Sequence, residues 1–130
     1  MKYRLMDLLA CPYCKKFPLE LYVLEENEYP ERKLTLEKPV CELYCGLLRK
    51  HLKEMSESPP CDECIKKEVS YAAIYCSECG RWYPVRDEIP ILLPDEYRQK
   101  KDDIEFLRKY RERLPEKIVI EGKPFNLSEG

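Results

Sequence analysis

Alternating apolar and polar residues predict a small antiparallel sheet built from both halves of the chain. In FPLELYVLEENE, Leu19, Leu21 and Val23 alternate with their neighbours in the way typical of a half-buried strand. Three more strands are predicted at Tyr71–Tyr75, in RWYPV and in IPILL, with RDE turning between the last two. A short strand is also predicted over Lys33–Leu36, inside a segment bounded by prolines.

Two other segments have the period of helices. Apolar residues at helical spacing predict a helix that ends before SESPP, with one face formed by Cys41, Tyr44, Cys45, Leu48, Leu52 and Met55. Asp95 can cap a second helix, which Pro115 stops. Its apolar stripe is Tyr97, Ile104, Leu107, Tyr110 and Leu114. The tail adds one strand-like run, Ile118–Ile120.

Composition bounds the class of protein. The chain has 130 residues, 37% charged and 44% hydrophobic, which fits one globular domain with an inserted segment. No apolar run is long enough for a signal peptide or a bilayer span, so we expect a cytoplasmic protein without a membrane partner. The net charge of −2 gives no global support for direct binding of RNA or DNA. Nineteen Glu against one Gln and two Asn is a bias typical of hyperthermophiles.

The eight cysteines fall into four close pairs, 11/14, 41/45, 61/64 and 76/79. Such pairing favours metal binding over a disulfide scaffold, although intracellular proteins of hyperthermophiles also contain disulfides. CPYC near the start and CSECG later in the chain predict two zinc knuckles that together bind one zinc ion through Cys11, Cys14, Cys76 and Cys79. A rubredoxin-like iron site or two disulfides would use the same residues.

CPYC is also the tetrapeptide of a redox dithiol, and that alternative needs a helix directly after the first cysteine. Pro18 and a strand pattern follow instead, so a CxxC redox protein is a weaker alternative. The remaining cysteines, Cys41, Cys45, Cys61 and Cys64, form a candidate second zinc site. Disulfides or buried free thiols are the alternative interpretations of these four cysteines.

No catalytic constellation is recognisable, so we expect a protein that is not an enzyme. His51 is the only histidine and lies off the cysteine face of the predicted helix, as an exposed residue would. Asp102 and Asp103 lie in a charge-rich segment and are expected at the surface. With four glycines in the chain, a loop that cradles a cofactor is nearly excluded.

These elements predict an α+β fold. Residues 1–36 and 69–94 form a zinc-ribbon domain, residues 37–68 an inserted, cysteine-rich helical subdomain (the insert), and residues 95–130 a C-terminal helix and tail. The apolar run IPILLP has little room to be buried in so small a ribbon. It is therefore either a core strand or a sheet edge that docks to another protein.

Two segments, MKYRLMDLLACPYCKKFPLEL and YCSECGRWYPVRDEIPILLPDE, resemble the small zinc-ribbon activator subunit of tRNA, rRNA and release-factor methyltransferases. The resemblance covers residues 1–24 and 71–96. It implies a non-catalytic partner that forms a heterodimer with a Rossmann-fold, S-adenosylmethionine-dependent methyltransferase and meets RNA only through that enzyme. The second cysteine quartet and the tail after residue 96 depart from the family pattern.

The resemblance also implies which residues carry the function. Zinc is bound by the four cysteines of the two knuckles. The partner is contacted by Met6, Leu9, Ile89, Pro90, Ile91, Leu92 and Leu93. The alternative from another class is a nucleic-acid-binding zinc ribbon of the transcription or ribosome machinery, with phosphate contacts from the basic segment between Arg98 and Arg113.

Overall fold

The chain folds around a four-stranded antiparallel sheet in which the strands Glu20–Glu28, Lys67–Tyr75, Trp82–Arg86 and Ile89–Pro90 lie side by side in that order. The computed structural model of the protein describes residues 1–35, 38 and 40–128. The strands are β1 (Glu20–Glu28), β2 (Tyr44–Cys45), β3 (Lys50–His51), β4 (Lys67–Tyr75), β5 (Trp82–Arg86) and β6 (Ile89–Pro90). The helices are α1 (Cys61–Cys64), α2 (Lys100–Lys109) and α3 (Glu116–Val119). The predicted α+β class is confirmed.

Short loops connect β4, β5 and β6 in the second half of the sheet. Residues 76–81 join β4 to β5, and the two-residue turn Asp87–Glu88 joins β5 to β6. Both turn residues have positive φ, 48° and 68°, as in a type I′ hairpin turn, whose twist matches that of the flanking strands. β1 pairs with β4 from Glu20↔Tyr75 to Glu28↔Lys67, so the first half of the chain completes the sheet across the insert.

Both faces of the sheet are covered. Leu21, Ile74 and Tyr83 lie side by side on three neighbouring strands and pack under the N-terminal leader and the knuckles. Tyr75 and Trp82, one residue along, face the opposite side and pack against α2 and α3. The sheet is therefore the middle layer of three, and each outer layer has its own apolar cluster.

The insert does not contain the predicted helix over residues 41–55. β2 and β3 form a hairpin there, followed by a 3₁₀ turn at Leu52–Glu54. The chain reverses because the Arg49 N–H donates to the Cys45 carbonyl at 2.7 Å, with Arg49 at a φ of 57°. The predicted strand at Lys33–Leu36 does not form over residues 33–35, and Leu36 lies outside the described residues.

The C-terminal segment is helical, but in pieces. A 3₁₀ turn at Asp95–Tyr97 precedes α2, and another at Arg111–Arg113 follows it. The predicted strand at Ile118–Ile120 is wrong, because residues up to Val119 belong to α3, which begins directly after Pro115. Tyr97 is exposed rather than part of the apolar stripe. Among the described residues, no helix is both long enough and apolar enough to span a bilayer.

A buried ion pair fixes α2 to the sheet. Arg98 donates to the Trp82 carbonyl at 2.6 Å and, through Nε, to Asp103 Oδ2 at 2.9 Å. Arg98 Nη2 also lies 2.8 Å from that oxygen, without a well-directed hydrogen bond. Asp103 is only 3% exposed, so its predicted place at the surface is wrong. Removing one partner of such a pair would leave a buried charge uncompensated.

Candidate metal centre

Four cysteines from two loops at the same end of the sheet meet at one point. The sulfurs of Cys11, Cys14, Cys76 and Cys79 all lie within 4.8 Å of one another. Cys11 Sγ is 3.7 Å from Cys79 Sγ, and Cys14 Sγ is 3.3 Å from Cys76 Sγ. A tetrahedral zinc ion about 2.3 Å from each sulfur would hold the sulfurs about 3.8 Å apart. The four residues therefore fit one four-coordinate zinc ion.

Two turns with the same backbone pattern present these sulfurs. In the first, Lys15 N–H donates to the Cys11 carbonyl at 2.9 Å, and in the second Gly80 N–H donates to the Cys76 carbonyl at 2.9 Å. Lys15 and Gly80 both have positive φ, 65° and 78°. Each CxxC is therefore a knuckle followed by a left-handed residue, a conformation that glycine adopts without steric cost.

Tyr83 on β5 contacts the metal site from inside the sheet. Its hydroxyl lies 3.5 Å from Cys11 Sγ. Burial raises the pKa of Cys11, but hydrogen bonds from Tyr83 and from the Cys14 N–H outweigh burial and lower this pKa to about 6. Burial, with the neighbouring Cys14 thiol, raises the pKa of Cys76 to about 12. All four thiols would give up their protons on binding zinc, because the thiolate is the metal ligand.

A cationic side chain lies beside the site. Arg81 is two positions after Cys79, donates to both carboxylate oxygens of Asp95 at 2.8–3.2 Å, and lies 3.6 Å above the Tyr13 ring. Tyr13 also accepts the Asp95 N–H at 2.7 Å. Zinc with four thiolates carries two negative charges, which Arg81 partly offsets. These three residues link both knuckles to the start of the C-terminal segment.

The cysteines of the insert line a separate small cavity. Cys41, Cys45 and Cys61 are buried and Cys64 is half-buried. Burial is the main reason why the pKa of Cys41 rises to about 11 and that of Cys64 to about 12. Within the described ranges, no second group of three or more potential ligands is as close as the first. None of the eight cysteines forms a disulfide in this structure.

The predicted partner-contact residues are divided between core and surface. Met6 is 0% exposed, so placing it at a contact surface is wrong: it packs in the core under the leader. Leu9 and Leu92 are half-buried against the same core. Pro90 and Ile91 are half-buried as well, whereas Ile89 is 62% and Leu93 40% exposed. Leu8, which the sequence analysis did not include, is 63% exposed.

The surroundings of CPYC are those of a knuckle. A turn covers residues 12–14, and β1 starts at Glu20 without an intervening helix. The helix dipole that activates a redox dithiol is therefore missing from this described segment. His51 is half-buried and packs edge-on against Tyr44, with ring centroids 5.3 Å apart, so its predicted exposure on a helix is wrong.

Sequence reasoning missed Tyr83, Arg81 and Asp95 as parts of the metal centre. Tyr83 and Arg81 follow the second knuckle closely, yet only the pairing of strands directs them towards the sulfurs. No family model, curated protein or solved structure matches this chain. Its function is therefore inferred from the site and the surface around it.

Proposed function

We propose that this chain is a non-catalytic zinc-binding subunit that binds, stabilises and activates S-adenosylmethionine-dependent methyltransferases acting on tRNA, rRNA or a translation release factor. The observation that carries the proposal is the pair of exposed apolar residues, Ile89 and Leu93, at the open edge of the sheet. The segments that resemble the activator family include both this edge and the metal centre.

The metal centre supports a role without catalysis. Four sulfurs fill the coordination sphere of a tetrahedral zinc ion, so no position is left for water or substrate. Cys11 and Cys76 are fully buried in the core of the sheet's first face. Such a zinc ion holds the leader against the strands, and its contribution is to the shape of the docking face.

The edge of the sheet supports binding to another protein. β6 is the outermost strand, paired on one side with β5 through Val85↔Pro90 and Arg86↔Ile89. Among the described residues no further strand pairs with its other side, so a strand could be added there, although Pro90 has no N–H to donate to it. A hollow lined by Leu5, Leu8 and Glu88 places the exposed Leu8 near the start of β6. Large apolar side chains grouped in this way are typical of a docking surface.

Activation would follow from linkage. A subunit that binds only the folded methyltransferase stabilises that fold by mass action and covers its apolar edge. RNA would be met through the enzyme, in keeping with the net charge of −2. This role places the chain in the cytoplasm.

The test is co-purification with a methyltransferase. The double variant Ile89→Asp, Leu93→Asp places two carboxylates in the proposed interface, where burial of unpaired charge weakens binding at least about a hundredfold. The matched control is Leu43→Asp, because Leu43 is equally exposed but lies on the insert. Zinc content of each variant shows that the metal centre is intact.

We expect the wild type and the control to capture a Rossmann-fold methyltransferase and raise its activity, and the double variant to do neither. Capture by all three proteins would refute docking at this edge. Failure of the wild type to capture any methyltransferase, combined with salt-dependent RNA binding by the isolated chain, would favour the nucleic-acid-binding alternative.

A further inference from the structure

The insert carries four thiols that the first metal centre does not use. We infer that Cys41, Cys45, Cys61 and Cys64 (the insert cysteines) bind a second zinc ion, which completes the fold of the insert. This inference does not rest on the proposed function and concerns a separate part of the surface.

The insert cysteines surround one small cavity. Its volume of about 20 Å³ is enough for one water-sized particle, and a zinc ion is smaller. The other lining groups are apolar side chains, backbone and two cations: Lys2, Arg4, Leu34, Val40, Gly46, Pro59, Pro60 and Ile65. Among the described residues no carboxylate or imidazole lines this cavity, so sulfur is the strong ligand that they offer. An all-thiolate set selects a soft or borderline metal such as zinc.

One of the four cysteines already sits in a knuckle-type turn. Arg49 N–H donates to the Cys45 carbonyl at 2.7 Å and Arg49 has a φ of 57°, as Lys15 and Gly80 do after the other two knuckles. Cys45 therefore occupies the first ligand position of a third such turn. Leu48 occupies the position that the second cysteine of a CxxC knuckle has. Cys41, which precedes β2 in the chain, would supply the second sulfur instead.

The other two ligands come from a single helical turn. α1 consists of Cys61–Cys64, and its first and last residues are three positions apart, which places their side chains on one face. Ile65 N–H closes the turn on the Cys61 carbonyl at 3.0 Å. A turn this short gains little stability of its own and needs an external bond to persist.

The insert lacks the burial needed to hold itself together. Between residues 40 and 64 the buried residues other than cysteines are Tyr44, Gly46 and Pro59. A segment with one large buried side chain requires a crosslink. The insert sulfurs are farther apart than those of the first centre, so the metal would draw α1 towards the Cys45 turn. Four thiols would release four protons, leaving a centre with two negative charges beside Lys2 and Arg4.

The test is metal stoichiometry of the full chain purified under reducing conditions. We expect two zinc ions per wild-type chain, and one in the variant Cys61→Ser, Cys64→Ser. The matched control Ser56→Ala, Ser58→Ala changes two exposed residues of the preceding loop and should retain two ions. Cobalt(II) replacing zinc in the wild type should give the visible bands of a tetrahedral thiolate site at two equivalents, which tests the site without any variant.

One zinc ion per wild-type chain would overturn the inference, whether the insert cysteines are then alkylated as free thiols or found as disulfides. Retention of two ions by the Cys61→Ser, Cys64→Ser variant would overturn it as well. A cobalt titration that saturates at one equivalent would have the same meaning. None of these outcomes depends on whether a methyltransferase binds.

Discussion

The residue after each knuckle of the first metal centre has positive φ, yet one is glycine and the other lysine. Gly80 pays no steric cost at a φ of 78°, whereas Lys15 at 65° does. A Cβ added at Gly80 would meet nothing within 4 Å, so only backbone strain opposes a side chain there. Lys15 and Gly80 therefore have the same backbone conformation with and without a side chain, and the cost of the side chain can be measured at both.

At this scale we predict opposite effects of two substitutions. Gly80→Ala should lower the free energy of unfolding of the zinc-bound protein by about 1 kcal/mol, because alanine resists positive φ. Lys15→Gly should leave it unchanged or raise it by up to about 1 kcal/mol, because strain relief opposes the added entropy of the unfolded chain. Urea unfolding at fixed free zinc measures both. Equal losses for the two variants would contradict the assigned backbone conformations.

The metal ligands could be predicted from sequence, but their surroundings could not. A CxxC knuckle is formed by contacts within six residues, so the spacing alone predicts that Cys11 and Cys76 are metal ligands. Tyr83 reaches Cys11 only through strand pairing between distant segments. The burial of Asp103 likewise depends on Arg98 being held at the Trp82 carbonyl, which no local pattern encodes.

At the scale of elements, Asp7 fastens the insert to the leader. Its carboxylate accepts the N–H groups of Leu43 and Tyr44 at 2.8 Å, through Oδ1, and that of Glu42 at 2.9 Å, through Oδ2. Gly46 packs so closely on the leader that a Cβ would lie 2.3 Å from the Tyr3 carbonyl oxygen. These contacts hold β2 against the first layer of the core.

We predict that Asp7→Asn loosens this attachment. An amide offers one acceptor oxygen instead of two and no charge, so the loss is about 1–3 kcal/mol of stability. Hydrogen exchange of the amides at residues 42–44 should become faster, while that of β4 is unchanged. The control is Asp102→Asn, since Asp102 is an exposed carboxylate on α2. Unchanged protection of residues 42–44 in Asp7→Asn would show that other contacts hold the hairpin.

Two of the elements that did not form as predicted have identifiable reasons. Cysteines at positions 41 and 45 have the spacing of a helical turn. The chain instead reverses between Cys45 and Arg49, and the residues on either side of this reversal form a hairpin. The short run Ile118–Ile120 is ambiguous in period, and its place behind Pro115 selects a helical turn. The strands β1, β4 and β5 were predictable because alternation over several residues is specific to the pleat.

At the scale of the molecule, the metal centre belongs to one face of the sheet only. Cys11 and Cys76 lie in the apolar cluster that includes the leader and Tyr44. The opposite cluster is formed by Trp82, α2 and α3 and contains no cysteine among the described residues. Stability of the first layer should therefore depend on zinc much more than stability of the second.

We predict that chelation opens the molecule from the first face. Zinc-finger peptides gain about 10–16 kcal/mol from their metal, and a chain with its own core should lose a smaller part, about 4 kcal/mol, which lowers Tm by roughly 10–20 °C. Hydrogen exchange in a strong chelator should then show loss of protection in the leader and at residues 41–51, with α2 still protected. Zinc added back should restore the Tm and the protection of both segments. Equal loss of protection in α2 would mean that the two layers unfold as one unit. The zinc ion would then stabilise the entire fold, through the sheet that both layers share.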